Sequence, residues 1–159
     1  MTTNEFFTSV YSWFCDQTMP VFKALGNCFI DDELVLSSSF PAIGFTTLIV
    51  SFVVAFAFYI WPINHPRFKA WWSWLIMLGV NAAINFGLAF AYVHHRLADI
   101  NKDEEVIEYF TGDDKLSLPF SQWMDFALAN LCVSIMFFIL ASLILTWFST
   151  NCRLSPFRS

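Results

Sequence analysis

Residues 71–93 read WWSWLIMLGVNAAINFGLAFAYV and carry no charged side chain. A helix needs about 20 apolar residues to cross a hydrocarbon core of about 30 Å, and this run supplies them. Trp71, Trp72 and Trp74 open it and Tyr92 ends it, as expected of aromatic rings at the two membrane–water interfaces. Two further runs share the pattern. Residues 41–61 are uncharged and end on Trp61; residues 123–148 start with Trp123, carry one acid, Asp125, and close beside Trp147. None of the three alternates with period two, and all are too long for strands.

The rest of the chain agrees with that reading. Of 159 residues, 57% are hydrophobic and 13% charged, whereas a soluble domain carries about 25% charge. This excludes a disordered tail, a collagen-like chain, a coiled coil and an ordinary soluble enzyme domain. A net charge of −5 argues against a nucleic-acid partner, because little is left to neutralise phosphates. The expected fold is an all-α integral membrane protein. It is an antiparallel bundle of three transmembrane helices plus an N-terminal amphipathic or fourth spanning helix, forming one membrane domain over residues 1–159.

The N-terminal helix is expected over about 5–29, where Phe7, Tyr11, Phe14, Val21, Phe22, Leu25 and Phe29 recur at helical spacing. Pro20 kinks it. Lying flat, it is an interfacial helix; crossing, it buries Asp16 at about 3 kcal/mol. The reading leans to a crossing, since no basic leader or small-residue cleavage site is visible. Cys15 and Cys28 separate the two models. In one straight helix they stand about 20 Å apart, beyond a disulfide's reach of roughly 7 Å; outside the membrane they can pair.

Lys and Arg set the orientation. The 62–70 hairpin holds Arg67 and Lys69 and the 149–159 tail holds Arg153 and Arg158, with no acid in either. Both are expected in the cytoplasm, as docking surfaces for a cytoplasmic partner. The 94–122 link is expected outside. It carries Asp103, Glu104, Glu105, Glu108, Asp113 and Asp114, a solvated face, a docking surface for a basic partner, or a cation-concentrating vestibule.

Two small-residue stripes predict close helix contacts. Gly79, Ala83, Gly87 and Ala91 recur every four residues, a pattern that lets helix backbones approach. Ala127, Ser134 and Ala141 recur every seven, the spacing of a left-handed seam. Either stripe serves packing within the chain or an oligomer interface. Asn81, Asn85 and Asn130 are amides inside apolar helices and must find partners. They are expected as interhelical contacts or as a pore lining, with Asn81 near the close-packed stripe. Asp125 is expected at the interface, and His94, His95 and Arg96 as an exposed cluster at headgroup level.

No nucleophile–base set, zinc-protease helix or phosphate loop is present, so no catalytic residue, cofactor or metal is expected. The functional expectation is a non-catalytic, oligomerising subunit that anchors or senses at the membrane and docks a partner. Its partners are the lipid bilayer and either copies of itself or another membrane-complex protein. The alternative is a homo-oligomeric pore or channel of the lysis or toxic-effector type. The expected location is a bacterial inner membrane, with the C-terminus in the cytoplasm.

Overall fold

Long apolar runs become long helices because every backbone polar group is then paired within its own segment. In the computed structural model they are α3 (Phe40–Tyr59), α4 (Trp71–Ile100) and α5 (Phe120–Thr146). All three are long and apolar enough to cross a membrane. At 1.5 Å per residue, 20 residues of α3 reach about 30 Å; α4 runs on past Val93 to Ile100. The structure describes residues 2–30, 33–59, 71–102, 106–107, 110 and 117–147.

The N-terminal expectation is corrected. No single helix covers 5–29. Residues Thr3–Ser12 form α1 and Pro20–Leu25 form α2. Helices of 10 and 6 residues extend only about 15 and 9 Å, too short to cross. Local chemistry makes the break. Thr2 and Glu5 form a reciprocal capping box that starts α1. Asp16 accepts the Thr18 N–H at 2.9 Å, an Asx turn that competes with helix; this bond holds its carboxyl below the usual range. Pro20 then starts α2 at the position where its missing N–H costs nothing.

A two-stranded hairpin follows. β1 (Cys28–Ile30) pairs antiparallel with β2 (Glu33–Leu36), with a bulge between Cys28 and Phe29. Strands this short leave no periodicity to read. Cys15 and Cys28 are both buried and are not disulfide-linked. Burial pushes the Cys15 thiol up, and Asp125 and Asp16 add to the shift.

The chain forms two compact units, Met1–Gly44 with Phe86–Asn130, and Phe45–Asn85 with Leu131–Ser159. An aromatic cluster centres the first. Tyr11, Phe40 and Phe126 are fully buried, with ring centroids 5.6 Å apart for Tyr11–Phe40 and Tyr11–Phe126; Phe22 lies 4.6 Å from Phe40. Val21, Leu25, Ile43, Val93, Leu97 and Ile100 of the same unit are buried as well. Offset and tilted rings at these spacings add to the burial they already provide. In the second unit, Ala55, Phe58 and Tyr59 of α3 pack with Trp74 of α4 and with Phe138, Ala141 and Leu145 of α5.

α1 presents three faces. Phe7, Val10 and Tyr11 are buried. Asn4, Glu5, Thr8, Ser9 and Ser12 form a polar face. Phe6 on α1, and Trp13 and Phe14 just past its end, stay exposed, Trp13 at 71%. The buried face meets α3 at Gly44, where a Cβ would overlap the Phe7 ring.

Candidate functional site

The buried polar side chains of the long helices bond to one another and to backbone carbonyls. In the second unit the Ser134 carbonyl is the junction. It accepts the Ser51 hydroxyl of α3 at 3.3 Å and the Asn81 amide of α4 at 3.1 Å. One backbone oxygen of α5 thus ties three helices. The Asn85 amide donates to the Asn81 backbone carbonyl and side-chain oxygen at 3.0 and 3.1 Å. One end of the same unit adds Trp74 Nε1 to Ser142 Oγ at 3.3 Å and Thr146 Oγ1 to the Ser142 carbonyl at 2.6 Å. In the first unit, the Tyr11 hydroxyl donates to Asn130 Oδ1 at 2.6 Å. Asn81, Asn85 and Asn130 are each fully buried in a single chain. Apolar surroundings offer no substitute partner, so the interhelical bonds of Asn81 and Asn130 fix helix rotation as well as contact.

Asn81 carries the junction, and its replacement has a defined cost. Interhelical hydrogen bonds in apolar surroundings contribute about 0.6–2 kcal/mol each. Asn81→Leu removes the bond to Ser134 and an acceptor of Asn85, so a loss of about 1–3 kcal/mol is expected. Unfolding in mixed detergent measures it. An unchanged unfolding midpoint would show that the junction contributes no stability.

The two small-residue stripes separate. Ala127, Ser134 and Ala141 are all buried and form the inward face of α5. Gly79, Ala83, Gly87 and Ala91 are all exposed, and among the described residues a Cβ at Gly79 or Gly87 would meet nothing within 4 Å. The sequence reading set Asn81 close to this second stripe; the structure turns them apart. At 100° per residue, positions two apart lie on nearly opposite sides of a helix. The inward face of α4 is instead Asn81, Ala82, Asn85, Ala89, Val93 and Arg96.

Arg96 is a second correction. It is 8% exposed, whereas His94 and His95 are exposed as expected. Its Nε donates to the Ala24 carbonyl and its Nη2 to the Gly26 carbonyl, both at 2.8 Å. These carbonyls end α2, where a cation also meets the negative end of the helix. The signal was in the spacing: Arg96 falls three residues after Val93 and four before Ile100, on the apolar stripe. The exposed neighbour His95 lies 2.9 Å from Asp99, which also holds Lys102 at 2.8 Å.

Asp125 is exposed near the start of α5. Among the described residues, no three His, Cys, Asp or Glu side chains gather as metal ligands. Asp103, Glu104, Glu105, Glu108, Asp113 and Asp114 lie outside the described residues, as do the 62–70 hairpin and the 149–159 tail. Comparison with protein-family models, curated proteins and solved structures finds no match to this chain.

Proposed function

We propose that this chain is a non-catalytic integral membrane subunit that assembles through the outward face of α4. One observation carries the reading: Gly79, Ala83, Gly87 and Ala91 form an exposed small-residue stripe along α4, and among the described residues a Cβ at Gly79 or Gly87 meets nothing within 4 Å. Glycine within a helix costs about 1 kcal/mol relative to alanine, and facing lipid it returns nothing. Against a second helix it returns close backbone contact, the main source of helix association in a bilayer. The wide apolar exposure of α3 and α5, for example Ile49, Val53 and Ile144, supports a lipid surround.

In this reading the acidic link senses or anchors outside. The hairpin and tail dock a cytoplasmic partner at a bacterial inner membrane, with the C-terminus inside. The acid-free basic segments at Arg67, Lys69, Arg153 and Arg158 support that orientation. The pore alternative draws no support from Asn81, Asn85 and Asn130, whose amides are turned inward in one chain.

The test is the double substitution Gly79→Leu with Gly87→Leu. Both positions are exposed, and among the described residues a Cβ at either meets nothing within 4 Å, so the fold is expected to persist. Native mass spectrometry after gentle extraction is expected to show an assembly for the parent chain and a monomer for the variant. An assembly of unchanged mass in the variant would sink the proposal.

A further inference from the structure

A cleft of about 840 Å³ opens in the first unit, lined by the polar face of α1 and by Lys23, Asn27 and Ser38. The buried rings of Phe22 and Phe40 line it as well. This volume lies within the usual range of small-molecule sites.

The hydrogen bonds already made define what the cleft still offers. The Asn27 oxygen accepts the Ser38 N–H at 2.7 Å, and the Asn4 oxygen accepts from Thr8 at 3.4 Å. Among the described residues, both amides therefore keep their N–H₂ ends for a ligand. With the Lys23 ammonium, two amide N–H pairs and three ammonium protons are available. On the acceptor side, Glu5 spends one oxygen on its capping box and keeps the other. Among the described residues, the cleft thus carries an excess of donors, one cation and one carboxylate. A phosphodiester bearing an ammonium matches that set: the phosphate oxygens accept only, and the single charges pair off.

The position of the cleft selects the source. Ser9 of the polar wall lies three residues after Phe6 and four before Trp13, so the polar wall borders the exposed aromatic face of α1. Exposed Trp and Phe beside a polar surface suit the headgroup level of a membrane. Phe40, which lines the cleft, is also the first residue of α3, where the apolar run starts.

We propose that this cleft binds a phosphoethanolamine group, presented by a phosphatidylethanolamine headgroup. Lys23, Asn27 and Asn4 hold the phosphate oxygens, and Glu5 holds the ammonium. The proposal is independent of assembly through α4 and applies to a monomer.

The experiment uses the full chain, stripped of lipid in detergent and titrated by native mass spectrometry. The probes are phosphatidylethanolamine, phosphatidylglycerol and soluble glycerophosphoethanolamine. The parent chain is expected to prefer phosphatidylethanolamine over phosphatidylglycerol by about tenfold, and Lys23→Ala to weaken its binding by about tenfold. Glu5→Gln keeps the capping box, since Gln serves at that position, and is expected to abolish the preference. Lys23 is exposed, so its variant tests binding without loading the fold. Displacement of the lipid by glycerophosphoethanolamine would assign the affinity to the headgroup alone; binding of the lipid without such displacement would add the acyl chains as a second contact. Equal affinity for the two lipids, or an unchanged affinity in Lys23→Ala, would overturn the proposal.

Discussion

Arg96→Met is expected to destabilise the α2 and hairpin segment by about 2–4 kcal/mol. The substitution keeps most of the apolar stem and removes the guanidinium, leaving the Ala24 and Gly26 carbonyls without their 2.8 Å partners. A buried acceptor stripped of its partner costs about 1–3 kcal/mol. Relief from burying the charge offsets part of the two losses. Arg96→Lys is expected to be intermediate, because one ammonium lacks the planar fork that spans two carbonyls. Hydrogen exchange reads the effect locally. The amides of Phe22–Leu25 should exchange at least about tenfold faster in the Met variant, since 1.4 kcal/mol is a factor of ten. Amides in the middle of α3 serve as the control. Equal acceleration everywhere would make Arg96 a general stabiliser, and no acceleration at α2 would remove its role as the cap.

Gly44→Ala carries the second large effect, with a sign opposite to helix propensity. In an open helix this change adds about 1 kcal/mol of stability. Here the new methyl would occupy space held by the Phe7 ring, itself 2% exposed. Overpacking a filled site costs about 1–3 kcal/mol, so a net loss is expected, and Gly44→Leu should lose more. Unfolding in mixed detergent measures both. Pairing Gly44→Ala with Phe7→Leu should recover part of the loss, because the smaller side chain vacates the space; the coupling in that cycle isolates the contact. Stabilisation by the single Ala substitution would show that Phe7 does not press on α3.

Both effects come from side-chain contacts that span long stretches of sequence, and this marks where sequence reading stopped. Composition and run length determined the three long helices, because a segment of about 20 apolar residues in apolar surroundings has only the helix to pair its backbone. The same reasoning made partners for Asn81, Asn85 and Asn130 obligatory without naming them. The break between α1 and α2 was written locally in Asp16 and Pro20, yet the apolar spacing of Phe7 through Phe29 outweighed it in the reading. Periodicity reports that residues share a face; it does not report that a seven-residue turn interrupts the helix carrying that face.

Only the tertiary structure decided which face of α4 looks inward. Gly79, Ala83, Gly87 and Ala91 are as regular as any packing stripe, and by spacing alone they could serve the chain or a partner. Asn81, rotated to the other side, is drawn inward by the Ser134 carbonyl on α5, and Asn85 donates to Asn81 one turn away on the same face. An unpaired amide costs more than a small apolar surface gains, so the amides set the rotation of the helix and the stripe follows outward. Arg96 followed by the same rule, carried inward on the α4 face that holds Val93 and Ile100 to meet the Ala24 and Gly26 carbonyls at the end of α2. Sequence determined the helices and their apolar character; hydrogen-bond partners 53 to 119 residues apart determined their rotation.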